Sequence, residues 1–394
     1  MLESLSPFPA DPILKLMGEL KEDPRENKID LGVGVYRNEQ GDTPVLKAVK
    51  LAEARILENE QTKSYVGPAG NLGFNKAMSK LILGESHQTL IENRVRTIQT
   101  PGGCGALKAL ADLVGRAKKG AKVFVSQPTW ANHEAIFDGS GLEVKYYRYY
   151  DKANSRLLFD EMMEDLNEAT SGDLVLVHGC CHNPCGADLN QTQWQQFAEL
   201  ANQLGFTPFI DVAYQGFGAN LEADAQGLRV VADQCKEVLI AASCSKNFGL
   251  YRERTGVAML ICDTPEHADV ALSQMLAATR ANYSMPPSHG ASIVEEILNS
   301  ELKSVWVDEL EEMHGRIASL RKQLNQALKA RGAHQFDFIE QQNGMFSFLG
   351  LSEAQVETLK KDYAIYMVGS SRINIAGIND ANVDYLADAI VAVI

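Results

Sequence analysis

Short apolar runs recur along the chain at Val95–Gln99, Val123–Ser126, Leu174–His178, Phe209–Val212, Val238–Ala242 and Val257–Ile261. Each is too short for a helix, and stretches with helical spacing separate them, so each predicts a strand. Strands alternating with helices predict an α/β fold: a mostly parallel central sheet with helices on both faces. A polar arm, a short helix around Asp11–Leu20 and a loop into Ile29–Tyr36 precede this region. Lys47–Asn59 is helical in pattern, and Gly67–Gly70 predicts a turn. Farther on, Trp306, Leu310, Met313, Ile317, Leu320 and Leu324 recur at steps of four and three, the face of a long helix that stops at Gly332. The spacing also suits a coiled coil, but so short a heptad run inside a globular chain reads better as a core-facing helix. It leads into a smaller C-terminal α+β unit.

Composition narrows the class. With 394 residues, 45% apolar and 22% charged, the chain can build one large and one smaller core. A net charge of −14 argues against a nucleic-acid surface while leaving anionic small molecules open to local arginines. No apolar run approaches the ~18 residues of a membrane span, and Met1–Ala10 lacks the basic start of a signal peptide. The expected location is the cytoplasm. The seven cysteines then read as reduced thiols. Cys180, Cys181, His182 and Cys185 cluster, yet without a C-x-x-C knuckle or a second ligand pair, so no metal is expected.

Candidate chemistry falls at the strand ends, where ligands bind on such sheets. Lys246 stands behind the run Val238–Ala242 and among Ser243, Ser245, Arg252 and Arg254. An amine beside hydroxyls and a guanidinium suits an aldehyde cofactor carrying a phosphate: the lysine forms a Schiff base, and Ser243, Ser245 and Arg254 hold the phosphate. A surface loop with an ordinary lysine is the plainer alternative. Ser243-Cys244-Ser245-Lys246 also spells S-x-x-K, but the S-D-N and K-T-G elements of that chemistry are absent. Gly102-Gly103 follows a strand and opens a helix, which lets backbone N–H groups approach a phosphate. Asp211 closes an apolar strand and needs a cationic partner, such as a protonated pyridine nitrogen, unless it only caps a turn. Tyr214 and Asn183 could reach the oxygen of the same ring. Trp130 could stack on that ring or simply lie in the core. Arg372 stands in an apolar-alternating pattern where a bidentate carboxylate would explain it. Arg280 is a weaker candidate on a loop, and His133 reads as a group behind the site.

The segments SCSKNFGLYRERTG, HGCCHNPCG, DVAYQGF, TPGGCGALK, RANYSMPP and NGMFSF, with LGVGVYRNEQGDTPV and SRINIAG, resemble the class I pyridoxal-phosphate aminotransferases. More narrowly they are similar to the bacterial aspartate and aromatic-amino-acid enzymes. The resemblance runs from Asp11-Pro-Ile-Leu14 to Ala387–Ile394. It implies fold type I, with residues 1–45 as an arm and part of the small domain, 46–312 as the large cofactor domain and 313–394 as the small domain. It implies pyridoxal 5'-phosphate, with Lys246 as Schiff-base lysine and proton carrier, and Asp211 on the pyridine nitrogen. Tyr214 and Asn183 would meet the ring oxygen, and Trp130 would stack. Gly103, Cys104, Ser243, Ser245 and Arg254 would bind phosphate, joined by Tyr65 of a neighbouring subunit. Arg372, with Gly34 and Asn183 nearby, would grip the substrate α-carboxylate, and Arg280 of the neighbour a side-chain carboxylate. A homodimer with shared sites follows from the same resemblance.

Three positions depart from the aspartate-type pattern: Cys104 for threonine, Met285 for asparagine, and Ser64 for an asparagine before Tyr65. They weaken the polar network around Arg280 and tilt the expectation toward aromatic substrates. Expected substrates are aromatic or acidic L-amino acids and 2-oxo acids such as 2-oxoglutarate. An aspartate enzyme with little aromatic activity, a β-lyase or a decarboxylase on the same cofactor, and a non-catalytic ligand sensor are the alternatives. The last would need a DNA-binding module, and the sequence offers no basic helix for one.

Overall fold

The computed structural model describes residues 2–7 and 12–394. Asp11, where the sequence opens the first helix, and part of the arm lie outside the described residues; the helix runs Pro12–Glu22. The central sheet has seven strands. They are β1 (Val95–Pro101), β2 (Lys122–Gln127), β3 (Glu143–Arg148), β4 (Leu174–His178), β5 (Thr207–Val212), β6 (Val238–Ser243) and β7 (Thr255–Ile261). All six apolar runs are therefore strands. The seventh, β3, was not anticipated: Glu-Val-Lys-Tyr-Tyr-Arg is a half-exposed sheet-edge strand whose charges suit solvent and hide any apolar run.

The strand order is β1-β7-β6-β5-β4-β2-β3. All neighbours are parallel except β7, which runs antiparallel to both β1 and β6. Successive residues feed opposite cores. Val175, Val177, Ile210 and Ile240 face one, and Leu174, Leu176, Phe209 and Leu239 the other. Helix Gly102–Ala117 covers the second face with Leu107 and Leu110, while Gln191–Leu204 covers the first with Trp194 and Phe197. Cover on both sides is why these strands read as continuous apolar runs.

The reversal of β7 shapes the site. β6 ends at Ser243 and β7 begins opposite it, with Gly256 paired to Ser243. Both ends of the Cys244–Arg254 connection therefore lie on the rim formed by the carboxyl ends of the parallel strands.

Outside the central sheet, residues from both ends of the chain pair with one another. Ile29–Asp30 pairs with Ile365–Tyr366, and Phe346–Phe348 with Arg372–Asn374. Asn374 Nδ2 donates to the carbonyls of Val33 (2.6 Å) and Val35 (2.7 Å), tying that segment to the C-terminal strand. The amphipathic face from Trp306 to Leu324 is buried as the pattern predicts. Its helix, Leu302–Ala330, runs unbroken through residue 312 and ends before Gly332, whose φ of 84° suits glycine. Among the described residues, no helix is long and apolar enough to cross a membrane.

Candidate active site

A cavity of about 230 Å³ opens on the carboxyl-end rim, lined by Lys246, Asp211, Arg254, Arg372 and their neighbours. Helix Gly102–Ala117 starts there, and its first N–H groups have no partner within the helix. Ser243 and Ser245 are buried beside it, with the Ser243 hydroxyl donating to Ser245 Oγ at 3.1 Å. Arg254 Nη1 donates to the Tyr251 carbonyl at 2.8 Å and reaches Ser245 Oγ at 3.4 Å. Gly102 has a φ of 70°, and a Cβ there would lie 2.6 Å from Arg254 Nη2. Only glycine lets the helix start and the guanidinium approach this closely. Hydroxyls, free amides and a guanidinium form a donor set for a phosphate. Cys104 joins this wall, its sulfur accepting from Asn132 Nδ2 at 3.5 Å.

Lys246 Nζ lies 4.8 Å from the centre of the Tyr214 ring. Burial pulls its pKa below the ordinary lysine value; Asp211 and Cys104 oppose the shift and Arg254 adds to it. A neutral amine is thus easier to reach than on a solvated lysine, as a nucleophile or base requires. The loop is pinned from behind. Trp306 Nε1 donates to the Asn247 carbonyl at 2.7 Å, and the Phe248 ring stacks on Trp306 at 4.3 Å. The helical stripe read from sequence is what holds the lysine loop.

Asp211 is 7% exposed. Burial alone would raise its pKa, but a 3.1 Å bond with His133 Nε2 and the nearby Lys246 amine bring it below the usual value. It is a buried anion facing a cavity, the setting a protonated pyridine nitrogen fits. His133 is itself engaged on the other side by Thr129 Oγ1 at 2.8 Å. His133, His178 and Asp211 lie close enough to hold a metal ion, yet both His133 nitrogens already have partners. Cys180 and Cys181 come close to Asp224, whose oxygens accept from the backbone of Gly216, Gly218 and Ala219. Cys185 instead meets His182 Nδ1 at 3.1 Å.

Three walls complete the cavity. Trp130 meets His133 edge-on. Burial holds the Tyr214 phenol well above its ordinary pKa, hence protonated. Arg372 is 7% exposed, its Nη2 donating to the Gly32 carbonyl at 2.7 Å, its guanidinium 4.4 Å from the centre of the Phe346 ring. Gly34 packs on the same ring, leaving a Cβ only 3.1 Å from Phe346 Cζ. Arg372 Nε, Asn183 Oδ1 and both His178 nitrogens are buried without a partner among the described residues. Unpaired polar atoms on one cavity wall mark a place built for a ligand.

Two expected residues are not brought here. Tyr65 is 93% exposed, and Arg280 is exposed in the last turn of helix Pro265–Asn282. Six others were missed. Ile13, Leu107, His178, Ala213, Tyr251 and Phe346 line the cavity, and only His178, which ends a predicted strand, carried a signal in its position.

A sequence profile described as aminotransferase class I and II matches residues 26–390. The chain is 48% identical to the aspartate aminotransferase of Escherichia coli (strain K12), with all of both chains covered. It is also 48% identical to the aromatic-amino-acid aminotransferase of Paracoccus denitrificans, again over both full lengths. The solved structure of the aromatic-amino-acid aminotransferase from Burkholderia pseudomallei, covalently bound to pyridoxal phosphate, matches with a TM-score of 0.98 at 43% identity. That match covers 100% of this chain and 99% of the other.

Proposed function

The chain belongs to the class I and II aminotransferases, which use pyridoxal phosphate, and on that premise we propose that it moves amino groups between aromatic or acidic L-amino acids and 2-oxo acids such as 2-oxoglutarate. The observation that carries the reading is the meeting of Lys246, the ionised Asp211, the Ser243–Ser245–Arg254 cluster and the half-satisfied Arg372 on one cavity.

The cofactor supplies an aldehyde that accepts the amino group and an electron-poor ring that stabilises charge at the substrate α-carbon. This chain's residues do the rest. Ser243, Ser245, Arg254 and the amides at Gly103 and Cys104 bind the phosphate. Asp211 holds a proton on the ring nitrogen, with His133 fixing the carboxylate. Tyr214 and Asn183 bind the ring oxygen, and Trp130 covers one ring face. Lys246 Nζ carries the proton to and from the substrate α-carbon. Arg372 binds the α-carboxylate through its unpaired edge, beside Gly34 and Asn183.

Tyr65 and Arg280, exposed and outside the cavity, are proposed to serve the site of a second copy in a homodimer: Tyr65 on phosphate, Arg280 on a side-chain carboxylate. We take residues 46–312 as the larger unit, with 1–45 and 313–394 closing over substrate. The seven free thiols support the cytoplasm as location. Met285, half-buried, and Ser64 beside Tyr65 support the aromatic side of the substrate range. The test is a set of half-reactions: each amino acid is mixed with holoenzyme and the change in cofactor absorbance followed. Phenylalanine and aspartate should both convert the cofactor; conversion by aspartate alone would remove the aromatic half of the proposal.

A further inference from the structure

Arg321 lies in the C-terminal half of helix Leu302–Ala330, is 3% exposed, and does not line the active-site cavity. Its hydrogen bonds all run to main-chain carbonyls: Nε to Gly344 (3.0 Å), Nη1 to Ile339 (2.8 Å), and Nη2 to Asn343 (3.0 Å) and Phe346. No ion pair to it occurs among the described residues. Burial draws its pKa down to about 10. A desolvated guanidinium whose hydrogen bonds all go to neutral carbonyls, with the Asp188 carboxylate acting on it without a contact, is a costly way to tie down a loop. What the loop carries gives the arrangement a purpose.

The clamped stretch 339–346 ends at Phe346, whose ring is the platform for the Arg372 guanidinium and meets the Tyr214 ring edge-on at 6.0 Å. The strand that begins at Phe346 pairs with the strand that begins at Arg372, but only over three residues. So short a pairing fixes little by itself. The four carbonyl bonds of Arg321 anchor the N-terminal side of the platform, alongside the Met345 carbonyl, which accepts from Ile375 N at 2.7 Å, and Gln342, which donates to the Tyr150 hydroxyl at 2.7 Å. The neighbouring Asn183 loop touches the same stretch, with Asn343 N donating to the Gly186 carbonyl at 2.9 Å. That loop has its own support, since the Cys181 and His182 amides donate to Asp188 at 2.9 and 2.8 Å. Loosening the clamp should therefore reach Arg372 before it reaches the cofactor residues.

We propose that Arg321 is a positioning residue for substrate recognition: by clamping the carbonyls of 339–346 it fixes the Phe346 ring beneath Arg372, and so sets the grip on the substrate α-carboxylate. This rests on the reading of Arg372 as the carboxylate-binding group. Lysine at position 321 keeps a positive charge, but its compact ammonium cannot span the four carbonyls that the planar guanidinium reaches.

The test uses holoenzyme and measures three things in Arg321→Lys, Phe346→Leu and Arg372→Ala. These are the affinity for 3-phenylpropionate, a carboxylate with no amino group; KM and kcat for phenylalanine and aspartate; and cofactor retention by absorbance. Arg321→Lys should weaken 3-phenylpropionate and raise both KM values by about tenfold, the scale of one lost charge-assisted contact. Its kcat and cofactor retention should stay near wild type. Phe346→Leu, which leaves the clamp intact and removes the platform, should likewise weaken 3-phenylpropionate and raise both KM values. Should Arg321→Lys not fold, Phe346→Leu decides the matter, since unchanged 3-phenylpropionate binding in it overturns the proposal. Lost cofactor in proportion to lost affinity in Arg321→Lys, or a lowered melting temperature with unchanged KM, would make Arg321 a structural tie only. If Arg372→Ala weakens binding and Arg321→Lys does not, the proposal fails alone. If neither weakens it, the reading of Arg372 fails and takes the proposal with it.

Discussion

Lys246, Asp211 and Ser243 sit at or just past the ends of two neighbouring strands, β5 and β6; Asp211 and Ser243 are buried and Lys246 half-buried, and Trp306 and His133 hold the group from behind. Tyr65 and Arg280 stand on the exterior, one on a loop and one at a helix end, with none of that support. The first group is organised inside a single chain before any ligand arrives, which is what charge stabilisation at a reacting atom requires. The second can act only from outside the cavity that the chain encloses.

The largest effect should come from the buried half. Lys246→Ala should abolish transamination while the phosphate ligands still retain cofactor, because no other side chain on this cavity offers an amine. Near-normal turnover, read by steady-state assay, would break the comparison at its base. Asp211→Ala should rank next. Removal of the α-proton, followed in single turnovers with an α-deuterated amino acid, should slow by orders of magnitude while carboxylate binding changes little. Unchanged kinetics would reduce Asp211 to a structural cap.

Arg280→Ala should be smaller and selective. Dicarboxylates should lose about 2–5 kcal/mol in kcat/KM, the scale of one unpaired desolvated charge. Phenylalanine should lose far less, whereas Arg372→Ala should harm both substrates alike. Equal losses for aspartate and phenylalanine in Arg280→Ala would mean that Arg280 does not discriminate side chains.

The smallest effect is on acid stability. Burial pushes His178 down to about 3 and His182 well below its usual range, so the folded chain keeps both rings neutral. The unfolded chain takes up protons below about pH 6.5, so stability is full above that value and falls as pH drops toward the folded pKa. The slope is at most about 1.4 kcal/mol per pH unit for each ring. Urea unfolding between pH 7 and 5 should show it, and His178→Asn should flatten the slope while Arg280→Ala leaves it alone. A slope identical in His178→Asn and wild type would contradict the assignment.

Much of the buried half was legible because burial on both sheet faces leaves a plain signature: an apolar run with a polar residue at its end. Asp211, Ser243 and Lys246 all announce themselves that way. The direction of β7 was not legible, since an apolar run reports burial and not polarity of the chain. Yet that reversal is what brings Arg254 back beside Ser245. Phe346 and Tyr251 carry no role of their own in the sequence, because pairings across the whole fold make them part of the site. Arg372 bonds to Gly32, 340 residues away. Tyr65 had no local signal beyond the resemblance and Arg280 only a weak one, and one chain's fold does not bring them to the cavity.

A mixed dimer tests the division most directly. One chain carries Lys246→Ala and the other Arg280→Ala, each with its own affinity tag, and the doubly tagged species is isolated. If Arg280 serves the opposite copy, one site of the pair keeps both residues intact, and the dimer should show about half the wild-type activity toward aspartate, as two-fold symmetry requires. If Arg280 acts on its own chain, no site is intact, and activity toward aspartate no higher than that of the Arg280→Ala parent would contradict the account.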